Sequence, residues 1–95
     1  MNKEDCATLE AVYQNPPPRI PWADMHSLFR AIANEYRGSC SHSPGGKLVL
    51  RVPQQGQGTS MSPVIIPVTH TPRLYPSLVK RIALRLSFAG IPLCP

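Results

Sequence analysis

A chain of 95 residues with a formal net charge of +5 is long enough for one small domain, hiding only about 60% of the surface its unfolded chain exposes. From Met25 onward a single acid, Glu35, stands among Arg30, Arg37, Lys47, Arg51, Arg73, Lys80, Arg81 and Arg85, which points to a polyanion partner, nucleic acid first and an acidic protein second. No glycine-rich phosphate loop, carboxylate pair or metal-ligand cysteine spacing is written in the chain, which argues against nucleotide-dependent, glycosidic and zinc enzymes and for no cofactor.

Met1 to Gln14 carries a short helical pattern, with Thr8 as its expected cap, and Asn15-Pro16-Pro17-Pro18 ends it because prolines cannot continue a helix. That proline run reads as a stiff connector or as a polyproline II ligand. Residues 1–20 are thus read as a short helix plus connector, and 21–92 as the main domain. Neither end has enough apolar pattern to add much core.

Pro21 opens the strongest helical pattern. Trp22, Met25, Leu28, Phe29, Ile32, Ala33 and Tyr36 recur at spacings of three and four, one buried face of a helix over 22–36. Gly38 is its expected left-handed stop. A brief strand is predicted over Ser39 to His42, then a Pro44-Gly45-Gly46 turn and a strand over Lys47 to Val52. Gln54 to Ser62 reads as a polar loop, β-branched Val64 to Val68 as the next strand, and Thr69 to Arg73 as a turn. A last helix, 75–89, has Leu78, Val79, Ile82, Leu86 and Ala89 inside and Lys80, Arg81 and Arg85 outside; Gly90 stops it, and Ile91-Pro92 is expected to tuck back on the sheet. The order α-β-β-β-α predicts an α+β two-layer sandwich, an antiparallel sheet of two to three strands with two helices on one face.

Cys6, Cys40 and Cys94 are odd in number and widely spaced. Free thiols in a reducing compartment follow, with Cys40 half-buried and unreactive. The polar start lacks an apolar signal core and no apolar run is long enough to span a bilayer, so the expectation is a cytoplasmic protein with no membrane partner.

Two histidines are candidates for chemistry. His42 lies near Arg37, Lys47 and Arg51 in the chain, where an imidazole of pKa about 6.5 would serve as acid or base on an anionic substrate. His70, at the end of the paired strand, would lie at the same end of the sheet. An exposed turn histidine is the plain alternative for each. Phosphate contacts are assigned to Arg37, Ser39, Lys47, Arg51, Arg73, Lys80 and Arg81.

The chain resembles the HicA toxins, small mRNA interferases of bacterial type II toxin–antitoxin systems with a double-stranded-RNA-binding-like fold. The resemblance rests on Thr8 to Tyr13 with Asn15-Pro16 and Ile20-Pro21-Trp22, on Arg37-Gly38-Ser39, on Val64 to His70, and on Leu78 to Ile82 with Ala89-Gly90-Ile91. The family writes its catalytic histidine directly after Gly-Ser or one residue later, whereas Cys40 and Ser41 intervene before His42 here. The resemblance implies an endoribonuclease that cuts mRNA by metal-independent histidine catalysis, with His42 as the catalytic group and His70 its partner, held inactive by a HicB-like antitoxin covering the site. A non-catalytic double-stranded-RNA-binding-like module and a protein-interaction domain using the proline-rich leader are the competing readings.

Overall fold

A computed structural model describes residues 1–43, 47–53, 61–67 and 73–94. Its elements run α1 (Lys3–Val12), β1 (Ile20–Pro21), α2 (Trp22–Glu35), β2 (Ser39–Ser43), β3 (Lys47–Pro53), β4 (Met61–Pro67), β5 (Arg73–Leu74) and α3 (Pro76–Ala89). Strands β2, β3 and β4 form an antiparallel meander, and β1 pairs with β5 in a separate two-stranded ribbon. The α+β class and the three-stranded meander agree with the sequence pattern. Met61 and Ser62 belong to β4 rather than to a loop, and Arg73 belongs to β5 rather than to a turn. The expected turn at Pro44 to Gly46, the loop over 54–60 and the turn over 69–72 lie outside the described residues.

Alternation in β3 sets the layers. Leu48, Leu50 and Val52 are buried in the core, whereas Lys47 and Arg51 are exposed. Burying each apolar side chain is worth about 1.5–3 kcal/mol. A slip of one residue would send Lys47, Val49 and Arg51 inward instead, so the register is firmly set. Helix α2 covers β2 and β3, and α3 packs against β4. Phe29, Ile32, Ile82 and Leu86 meet the β3 row in one core cluster.

The termini contribute more core than their pattern suggested. Leu9 and Val12 are fully buried and Ile91 nearly so, because α1 lies across α2 and α3 and extends the same cluster. Asn2, not Thr8, caps α1: its side chain accepts from the Asp5 backbone N–H at 2.7 Å, while the Thr8 hydroxyl donates to the Glu4 carbonyl. Asp5 is buried and accepts a 2.7 Å hydrogen bond from Ser27 of α2, so its charged end is not left bare. Ile91 turns inward as expected, but it is tied to the first helix: the Tyr13 hydroxyl donates to the Ile91 carbonyl at 2.8 Å. Burial, reinforced by neighbouring Tyr36, pushes the Tyr13 phenol up to about 12. Pro17 is buried, so the proline run is held against the fold as a connector.

Cys6 and Cys94 form a disulfide, with their Cα atoms 5.8 Å apart across a sequence separation of 88. This corrects the expectation of three free thiols; spacing along the chain does not reveal that α1 and the residues after α3 end side by side. Cys40 is free and half-buried, and burial raises its thiol pKa against the lowering effect of Arg30. That matches the unreactive thiol expected of it.

Candidate nucleic-acid interface

The junction between α2 and β2 positions this site. Helix α2 closes with Arg37 in the left-handed region at φ 59° and with the Gly38 N–H donating to the Ala33 carbonyl at 2.8 Å, a six-to-one closing bond. The left-handed residue is therefore Arg37, not Gly38. Glycine is required at 38 for another reason: a Cβ there would overlap the Arg51 carbonyl oxygen and come within 2.6 Å of Val52 Cγ1. The chain is thus pressed against β3 as it leaves the helix, and pairing starts at the next residue, Ser39↔Arg51.

From there the register continues through Cys40↔Leu50, Ser41↔Val49, His42↔Leu48 and Ser43↔Lys47. Directly paired residues share a sheet face, with Cβ atoms about 4.5–5.5 Å apart. Cys40 and Leu50 face the core. Ser39, Ser41 and Arg51 are exposed on the opposite face, where Lys47 is also exposed and Val49 retains only 8% of its surface. Lys47 and Arg51 lie about 14 Å apart along one strand at about 3.4 Å per residue. Among the described residues no helix packs on this outer face. The result is a polar and cationic sheet surface whose serines sit beside its cations, an arrangement suited to phosphate oxygens.

The structure separates the other candidates. Arg37 is exposed at the entrance to β2, next to Ser39. Arg73 is exposed in the β1–β5 ribbon, opposite Pro21; Arg19 next to that ribbon stands 5.3 Å over the Tyr75 ring. Lys80 and Arg81 are exposed on the outer side of α3, across the helix layer from the sheet's outer face, so they do not join Lys47 and Arg51. The His42 backbone is paired within β2; its side chain, and all of His70, lie outside the described residues.

Two features are not evident from the predicted elements. Val49 belongs to the outer face, which strict period-two counting from Leu48 and Leu50 would have found. Leu84 and Phe88 are exposed on α3, which angular bookkeeping around the helix would have found. No helix is long and apolar enough to cross a membrane among the described residues. No protein-family profile, no curated protein and no solved structure matches this chain.

Proposed function

We propose that this protein binds RNA along the outer face of the β2–β3–β4 sheet and cleaves it as an mRNA interferase, with His42 as general acid/base. One observation carries the binding half: exposed Ser39, Ser41, Lys47 and Arg51 share a sheet face that no helix covers among the described residues. The catalytic half rests on the resemblance to HicA toxins alone: in the register His42 pairs with Leu48, which places it in the row alternate to those serines and cations, one residue from the end of β2. Cleavage requires removal of a proton from the ribose 2′-hydroxyl, stabilisation of charge at phosphorus and protonation of the departing 5′-oxygen. An imidazole supplies the proton transfers, commonly for about 10²–10⁴-fold in rate, and Lys47 and Arg51 supply the charge. His70 is the proposed partner in the second transfer.

On this reading the protein works in the cytoplasm with its mRNA substrate, and a HicB-like antitoxin silences it by covering the sheet face. A cytosol that keeps thiols reduced would open the Cys6–Cys94 disulfide and leave Leu9, Val12, Ile91 and the Tyr13–Ile91 hydrogen bond to hold the ends together.

The test is RNA cleavage without added metal by the wild type beside His42→Ala and His70→Ala, with RNA affinity measured against salt. His42→Ala is expected to bind RNA and not cut it; undiminished cutting would remove His42 from the mechanism. Lys47→Ala and Arg51→Ala are each expected to flatten the log-affinity against log-salt slope by about 0.7 on single-stranded RNA. Slopes equal to wild type would refute the sheet-face interface. Tight, salt-sensitive RNA binding with no cleavage by the wild type would identify a non-catalytic RNA-binding module instead.

A further inference from the structure

Helix α3 turns Val79, Ile82, Leu86 and Ala89 into the core. At 100° per residue, Leu84 points nearly opposite this buried arc, and Phe88 follows one turn later. Both are large and open to solvent, Leu84 at 59% and Phe88 at 66% exposure. Lys80 borders them on one side, Arg81 and Arg85 on the other, all exposed. The helix contains no acid, and every acid in the chain lies at or before Glu35. Arg81 and Arg85, one turn apart, repel each other with no acid on their own helix to offset them. A helix selected only for solubility would alternate charges here and keep leucine and phenylalanine off the surface.

Charge complementarity chooses among occupants. A second copy of this chain would press Lys80, Arg81 and Arg85 against the same three cations. An RNA strand would satisfy the cations but set its phosphates beside Leu84, at the centre of the patch. An anionic bilayer is gripped by a broad apolar face, whereas the broad apolar face of α3 is already spent on the core. An acidic polypeptide with apolar anchors satisfies both parts of the surface. The 14 residues of α3 extend about 21 Å at about 1.5 Å per residue, room for a helical segment of similar length.

We infer that the outer face of α3 is a docking surface for an acidic amphipathic helix of a partner protein, anchored on Leu84 and Phe88 and ringed by Lys80, Arg81 and Arg85. Apolar anchors at the centre with charge at the rim is the usual anatomy of such contacts. The surface lies across the helix layer from the sheet's outer face and does not depend on the RNA reading.

The probe is a synthetic fluorescein-labelled helix with leucine on one face and glutamate on the other, titrated with the full chain and followed by anisotropy. Its scrambled counterpart of equal composition is the control. The amphipathic peptide is expected to bind, and the scrambled one to bind about tenfold more weakly or worse. Leu84→Ser/Phe88→Ser is expected to weaken binding about tenfold or more while the chain stays folded, as read by its circular dichroism. Arg81→Glu/Arg85→Glu is expected to weaken it and to remove most of its salt dependence. Absence of binding, equal binding of the scrambled peptide, or wild-type affinity in both double variants would overturn the inference. So would dependence on Leu84 and Phe88 appearing instead in binding to phosphatidylglycerol vesicles, to oligouridine, or in self-association by sedimentation.

Discussion

Gly38→Ala and Arg37→Gly, adjacent substitutions at the exit of α2, are predicted to act in opposite directions. At 38 the new methyl would overlap the Arg51 carbonyl and crowd Val52, neither of which is a flexible side-chain tip. The start of β2 must move off β3, an overpacking cost of about 1–3 kcal/mol. Weakening the first β2–β3 hydrogen bond adds about 1 kcal/mol. A total of about 2–4 kcal/mol in a domain of this size lowers the melting temperature by at least about 8 °C, at about 4–8 °C per kcal/mol. At 37 the arginine occupies φ 59°, where a side chain costs about 1–2 kcal/mol. Glycine removes that cost and returns about 0.5–1 kcal/mol through its looser unfolded chain. Arg37→Gly is therefore neutral or stabilises by about 1 kcal/mol. Calorimetry with cross-strand NOEs between Ser39 and Arg51 checks both. A Gly38→Ala cost below about 1 kcal/mol with the NOEs intact, or clear destabilisation by Arg37→Gly, would return the left-handed role to Gly38 and refute the close approach.

The Cys6–Cys94 bond closes nearly the whole chain, and loop-closure entropy for a separation of 88 sets its stabilisation at about 4–5 kcal/mol. Against a typical total of about 5–15 kcal/mol, reduction or Cys6→Ser/Cys94→Ser should shift the urea midpoint sharply downward; a change under about 1 kcal/mol would mean the bond is not closed in solution. Tyr13→Phe removes the hydroxyl bonded to the Ile91 carbonyl and should cost about 1 kcal/mol. Because the folded phenol is raised from 10.0 to about 12, the folded state holds its proton longer than the unfolded one. That contribution to stability is complete below about pH 10 and is lost as pH climbs toward 12. Alkaline unfolding curves of wild type and Tyr13→Phe should accordingly converge across that interval, and curves that stay parallel would contradict the raised pKa.

The layered architecture was legible because periodicity reports burial. Three-and-four spacing in Trp22 to Tyr36 and in Leu78 to Ala89 announced two helices with one apolar face each, and those faces are buried. The outer-face cations Lys47 and Arg51 were legible by the same rule at period two. Sequence patterns mislead where one residue type serves two purposes. A glycine after a helix suggests a left-handed stop, but here the left-handed turn falls on Arg37 and the glycine makes room for β3. A threonine near a helix suggests a cap, but Asn2 is better placed.

What the amino-acid order determined by itself was local: two amphipathic helices, an antiparallel meander, and a basic C-terminal two-thirds. Tertiary structure decided which distant segments meet. It joined Cys6 to Cys94 and Tyr13 to Ile91, brought Leu9 and Val12 into the core, and set Lys47 and Arg51 on one side of the domain with Lys80 and Arg81 on the other. The physical reason is range. Periodicity and capping depend on neighbours within a turn or a strand pair, whereas partners such as these are chosen by how the apolar faces close over one another.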